Sequence, residues 1–337
     1  MTSPPTCLNS HRGRASSCRL NQDWGSGGTR TSSPLTGSAT SGRFGVDVST
    51  VAVVGSGAIG MVLADAAARA GCTVVLCGAR AVEQLTVIGP DGVRTTTVAV
   101  CRDPRDAVSV DIVLLAVKRQ DSYALDEWSG LIAPDTLVVR AQNGVDPAPT
   151  GGAYGQVVPS VVRFGATRVA AGIVLRASSD LLVVPPEGAS LADHLSADSV
   201  RVEVAEDFRV EQWRKFAMNI CAGGLTTLFD RGLEIFTDPF VQVIARALLD
   251  EVRAVAAADG VRLEASIAEH TITDLAGRPY GTTTSMLRDA RAGNPLELDA
   301  HGAELVRIAE WHDIHAPVNA RLVDALAASV RYEERVR

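Results

Sequence analysis

Lysine is nearly missing from this chain. Of 32 basic side chains, two are lysines, Lys118 and Lys215, and the rest are arginine. Where arginine already supplies ordinary positive charge, a retained ammonium stands out, because it can release its proton and arginine cannot. Aromatic residues are also scarce, at 4%, so a core here rests on aliphatic packing. Positive charge is in deficit: the net charge of -7 argues against a nucleic-acid-binding domain, which carries a basic face. No apolar run approaches the about 18 residues that a membrane helix requires. The six cysteines form no CxxC pair, so buried free thiols and a reducing, cytoplasmic compartment are expected. His312 and His315 lack an evident third ligand and Pro317 follows them, which favours a surface or interface pair over a metal site. Neither a phosphate-binding P-loop nor a hydrolase nucleophile elbow is present.

What is present is an apolar fraction of 46% over 337 residues, the composition of a globular protein with room for about two domains. Residues 1–47 are rich in Ser, Thr, Gly, Pro and Arg with no aliphatic run. They cannot bury enough surface to order themselves, so a disordered extension or an over-long start is expected. The spacing then predicts a first domain over 48–205 and a helical second domain over 206–337.

The first domain opens with Val51-Ala-Val-Val54, a buried strand, followed at once by Gly55-Ser56-Gly57-Ala58-Ile59-Gly60. A small-residue helix from Met61 to Ala70 and a second strand, Thr73–Cys77, complete a β-α-β unit of the length that the GxGxxG fingerprint requires. In that context Gly55 makes the tight turn. Gly57 lets the backbone approach a pyrophosphate, and Gly60 lets helix and strand pack closely. The helix N-terminus offers free N–H groups to the anion. A dinucleotide with the acidic ribose partner normally seen for NAD is not indicated. The end of the second strand reads Leu76-Cys-Gly-Ala-Arg80, with an arginine and no acid. Arg80 suits a 2′-phosphate, so NADPH is the expected cofactor. Further strands end at Lys118 and at Asn143-Gly144, the same sheet edge as the glycine loop, where open α/β sheets bind ligands. Strands near 157–163, 166–175 and 181–184 complete the domain.

From about Glu206 the period becomes helical. Val210, Trp213, Ala217 and Ile220 form an apolar stripe, while Lys215 and Asn219, four apart, share another face. Helices are predicted over Pro239–Asp259, Glu264–Leu275, Thr283–Arg291, Leu298–Trp311 and Asn319–Glu334. Ser285 and Asp289 share a face, and Ser285 also suits a helix N-cap. Glu297 follows the breaker Gly293-Asn-Pro295, and Arg214 is read as solvated.

These motifs together resemble the ketopantoate reductases (2-dehydropantoate 2-reductases). The resemblance is carried by GSGAIG at 55–60, Lys118, QNGV at 142–145 and WRKFAMN at 213–219. It continues through SMLRD at 285–289, Glu297-Leu-Asp299 and Ala316-Pro-Val-Asn319, over about 280 residues. It implies a Rossmann-type doubly wound sheet joined to an all-helical C-terminal domain, with an active site in the cleft between them. It implies NADPH-dependent reduction of 2-dehydropantoate to (R)-pantoate, with Lys215 as general acid and Glu297 near it and near the nicotinamide ribose. Asn219 and Ser285 would hold substrate oxygens. Asn143 and Lys118 would touch cofactor and substrate, and Ala171, in a THAA-like stretch, would touch cofactor through its backbone. A homodimer is compatible with this, as is the same chemistry on another 2-oxo acid or a non-catalytic NADPH sensor. The chain departs from the pattern at Gly223, where the family usually has asparagine, near Asp230–Gly232, and at His301-Gly302 in place of Asn-Gly. Substrate recognition is therefore the part in doubt.

Overall fold

The computed structural model describes residues 48–122, 124–145, 156–177 and 181–336; the expected N-terminal extension lies outside them. The chain starts with β1 (Thr50–Val54), α1 (Ala58–Arg69) and β2 (Thr73–Cys77), as the fingerprint requires. Next come β3 (Gln84–Gly89), β4 (Gly92–Thr97), β5 (Ala99–Cys101), β6 (Ile112–Leu115), a short α2 (Ala124–Glu127), β7 (Leu137–Arg140) and β8 (Gln156–Pro159). Short strands follow: β9 (Val161–Val162), β10 (Ala166–Ala170), β11 (Ile173–Arg176), β12 (Leu181–Val184) and β13 (Arg201–Val204).

The principal sheet runs β5-β2-β1-β6-β7-β8, with every pairing parallel. Parallel strands are covered on both faces and read as continuous apolar runs, and alternate residues of β1 enter different cores. Val51 and Val53 pack under α1 with Met61, Leu63 and Leu76. Ala52 and Val54 face Trp128, Leu131 and Val138 on the other side.

The later strands of this half do not extend one sheet. β10, β11, β3 and β4 form a second sheet, and β13, β12 and β9 a third. The segment 166–175, expected as one strand, folds back at Ala171–Gly172. Gly172 has φ +70 there, and a Cβ on it would lie 2.5 Å from the Gln84 carbonyl oxygen. This second sheet packs on α1 and so stands beside the glycine loop.

The helical half comprises α3 (Phe208–Leu228), α4 (Pro239–Ala258), α5 (Ile267–Ala276), α6 (Ser285–Arg291), α7 (Gly302–Trp311) and α8 (Pro317–Val336). Its core gathers around Trp213, Phe216, Phe236 and Leu248, with Trp213 and Phe216 edge-to-face at 5.5 Å. α4 starts where Asp238 accepts the Phe240 N–H and Pro239 occupies the first turn, a strong start signal. α8 begins two residues before the expected Asn319, because the Glu251 carboxylate accepts the N–H groups of Val318 and Asn319. The expected helix 298–311 breaks at His301 into a 3₁₀ turn and α7. Among the described residues no helix is long and apolar enough to cross a membrane.

Candidate active site

The glycine loop is dictated by space. Gly55 has φ +113, and a Cβ there would lie 2.8 Å from the Ala116 backbone. On Gly60 a Cβ would fall 1.9 Å from the Gly55 carbonyl oxygen, whereas at Gly57 it would meet nothing within 4 Å. The loop is thus closed by two obligatory glycines, and at Gly57 it opens on empty space. Ala58 and Ile59 begin α1, whose first turn carries no acidic residue and no side-chain cap. Its N–H groups are left for an anion. A cleft of ≈ 420 Å³ adjoins the loop, lined by Ser56 and Met61, by Arg80 after β2, and by residues 168–172 at the β10–β11 turn, Ala171 among them. These surroundings fit a dinucleotide: an open glycine loop, a helix start and a guanidinium in the cleft lining.

At the carboxyl ends of β6 and β7 the helical half meets the sheet through side chains. Asn219 on α3 donates from Nδ2 to Asn143 Oδ1 at 3.1 Å. Asn143 Nδ2 in turn donates to Glu297 Oε2 at 3.1 Å, and the Arg119 N–H donates to Glu297 Oε1 at 2.8 Å. Lys118 Nζ lies 3.0 Å from Asp289 Oδ2 on α6. Deeper, the buried Glu304 carboxylate accepts the Val145 N–H at 3.0 Å and lies 3.8 Å from the Arg119 guanidinium.

Lys215 stands one helical turn before Asn219. No hydrogen bond or ion pair holds its ammonium among the described residues. Burial is the main force on it, and the like charges of Arg163 and Arg278 add to it. Together they lower its pKa from 10.5 to about 8, against a small opposing pull from Asp274. An amine in that state is protonated at neutral pH yet gives up its proton readily.

The Glu297 carboxylate is held by Arg119 and Asn143. Both Glu297 and Lys215 act on His301, whose Nδ1–H donates to the Glu297 carbonyl oxygen at 2.7 Å. Burial, helped by Lys215, holds this imidazole's pKa below the usual value against the pull of Glu297. Ser285 is exposed and is not the N-cap of α6; Thr284 caps it, accepting the Leu287 N–H. Arg214 is not simply solvated, since it bridges Glu264 at 3.0 Å and Glu211 at 2.7 Å. At the departures, Gly223 faces the Met286 side chain, 3.6–3.7 Å from where a Cβ would sit. Asp230 is bound by Arg291 at 2.6 Å. His312 pairs with Asp259 at 3.2 Å.

Sequence reasoning missed Arg119, Glu304 and the lining residue Arg168. A charged Glu304 three residues before Arg307, on a helix whose Leu305 and Ala309 are buried, was the one local hint.

A glycine-loop α/β domain, met at its strand ends by a helical domain that brings an unpaired lysine, is the plan of a two-domain nicotinamide-dependent oxidoreductase. Comparison with known proteins narrows the class. A family model described as ketopantoate reductase PanE/ApbA matches residues 51–187, and its C-terminal counterpart matches 207–330. A 2-dehydropantoate 2-reductase of Caulobacter vibrioides is 33% identical over 289 residues, 84% of this chain and 99% of that protein. The crystal structure of a PanE/ApbA family ketopantoate reductase from Ralstonia eutropha superposes with a TM-score of 0.78 at 26% identity, covering 85% of this chain and 99% of that one. A dimeric ketopantoate reductase from Staphylococcus aureus has the same fold (TM-score 0.74, 23% identity, 84% and 99% covered). The chain belongs to the ketopantoate reductase family.

Proposed function

We propose that the protein reduces a 2-oxo acid, 2-dehydropantoate, to (R)-pantoate with NADPH, and that Lys215 is the general acid. The observation that carries this reading is the unpaired Lys215 ammonium with its pKa lowered to about 8, one helical turn from the Asn219–Asn143–Glu297 chain. When bound, the cofactor supplies hydride to the carbonyl carbon. As hydride arrives, charge grows on the carbonyl oxygen. Lys215 stabilises that charge and transfers its proton from Nζ to the oxygen, leaving a neutral amine that solvent reprotonates. Asn219 and Asn143 orient substrate and nicotinamide ribose, with Glu297 holding Asn143 in register. Lys118 supports the same edge through Asp289, and Ser285 faces the substrate from α6. Gly55 to Gly60 and Ala171 hold the cofactor backbone, and Arg80 selects the phosphorylated ribose.

Gly223 against Met286 favours one further reading: the same chemistry on a carbonyl with an apolar substituent, because no hydrogen-bonding side chain stands there. One experiment tests both. NADPH oxidation is followed with a panel of 2-oxo acids. Turnover of 2-dehydropantoate above all others supports the first reading, and turnover of an apolar 2-oxo acid in its place supports the second. No oxidation with any member of the panel refutes both. A homodimer, by analogy with the dimeric Staphylococcus aureus protein, is the proposed assembly, and light scattering on the eluted protein checks it. The free thiols of Cys72, Cys77, Cys101 and Cys221 support a reducing, cytoplasmic setting.

A further inference from the structure

The ≈ 420 Å³ cleft beside the glycine loop has two arginines in its lining. Arg80 reaches it from the loop after β2, within the principal sheet. Arg168 reaches it from β10, the edge strand of the second sheet. The two are 88 positions apart in the chain, and they share this cleft because α1 packs against both β10 and β11. Neither guanidinium has a hydrogen-bond or ion-pair partner among the described residues.

Arg168 sits where the local backbone is irregular. The pairing of β10 with β11 slips between Arg168 and Ala170. Such a bulge bends a strand and redirects its side chains. Gly172, at φ +70 in the turn that follows, also lines the cleft. Ser56, in the glycine loop just before the Gly57 N-cap of α1, adds a hydroxyl to the lining.

We propose that Arg168 is a second specificity residue for the cofactor: with Arg80 it forms a two-sided clamp on the 2′-phosphate of the adenosine ribose. A phosphate monoester carries close to two negative charges at neutral pH, with its second pKa near about 6. One guanidinium meets such a dianion with at most a bidentate fork. A second one, from the other sheet, balances the remaining charge and takes another oxygen. This deepens the NADPH reading above and rests on it.

The test measures binding, not turnover. Dissociation constants for NADPH, NADH and 2′,5′-ADP are measured by fluorescence or calorimetry on the full chain, its Arg168→Ala, Arg168→Lys and Arg80→Ala variants, and the double variant. Charge-assisted hydrogen bonds of this kind set the expected scale. Arg168→Ala weakens NADPH and 2′,5′-ADP about tenfold or more and leaves NADH within about twofold. Arg168→Lys recovers part of the loss. The double variant binds NADPH and NADH about equally. Arg168 is exposed, so these variants keep the fold, which circular dichroism verifies. The proposal is overturned if Arg168→Ala leaves NADPH affinity unchanged while Arg80→Ala lowers it; the NADPH reading then stands on Arg80 alone. An equal loss for NADPH and NADH in Arg168→Ala also overturns it, because the residue would then support the turn and not the phosphate. Should neither arginine matter and NADH bind as tightly as NADPH, the cofactor assignment falls together with the clamp.

Discussion

Replacing Lys215 by methionine should make the protein a much worse enzyme and a more stable one. Burial and the charges of Arg163 and Arg278 pull the Lys215 pKa from 10.5 to about 8, against only a small opposing pull from Asp274. A lysine free to reach solvent in the unfolded chain has no such burden. Below pH 8 it is protonated in both states, so the folded state carries the whole cost. The gap from 10.5 to about 8 bounds that cost at ~3 kcal/mol. Partial exposure of the side chain screens it to ~1–2 kcal/mol. Methionine keeps the length and apolar stem of lysine and removes the charge. At pH 7 its melting midpoint should therefore rise by roughly 2–6 °C, judged from the usual entropy of unfolding for a domain of this size. Turnover should fall on the order of 10²–10⁴, the usual contribution of a positioned acid. NADPH affinity should stay within about twofold. Differential scanning calorimetry and single-turnover kinetics on one preparation check all three. A variant that melts lower and turns over as well as the parent refutes both the desolvated amine and its catalytic role.

Two other perturbations follow from the same geometry. Gly60→Ala places a methyl 1.9 Å from the Gly55 carbonyl oxygen, so the loop must shift. Overpacking of this kind costs ~1–3 kcal/mol, and NADPH affinity should drop at least about tenfold, which a titration of cofactor fluorescence measures. His301→Leu removes the donor to the Glu297 carbonyl. The carbonyl keeps the Ala300 N–H at 3.2 Å, so the loss is that of one hydrogen bond, ~0.5–1.5 kcal/mol. The urea midpoint should fall and KM rise more than kcat falls, because Glu297 loses its anchor while Lys215 stays in place. His301→Asn, which keeps an N–H donor, should recover most of both.

The parts of this molecule that could be read from its sequence are those whose physics is local. Val51-Ala-Val-Val54 followed by the glycine loop specifies strand, turn and helix within about 20 consecutive positions, and the three elements form as expected. The helical stripe of Trp213, Ala217 and Ile220 is likewise a property of one segment, and all three residues are buried. The β3–β4 hairpin was not legible. Gly92-Val-Arg-Thr-Thr-Thr97 leaves most of its side chains exposed or half-exposed and so lacks apolar alternation. Its strand character comes from pairing with β3 and, through β3, with β11. Lys215 and Asn219 could be placed on one helix face, but the lysine's neighbours could not. Arg163 and Arg278 come from segments more than 50 positions away on either side. The lock of Lys118 on Asp289 spans 171 positions, and the placement of Glu297 on Arg119 spans 178. Charge and spacing within a segment carry no record of such meetings.

The claim on which the account depends is that Lys215 delivers the proton. The most direct measurement is the pH dependence of kcat/KM for NADPH-driven reduction, in the parent and in Lys215→Ala. An ammonium acting as acid is competent below its pKa and lost above it. The parent should therefore hold a plateau up to about pH 8 and fall tenfold for each further pH step, while the variant's residual rate stays flat through the same range. A descending limb at the same pH in Lys215→Ala would show that another group donates the proton.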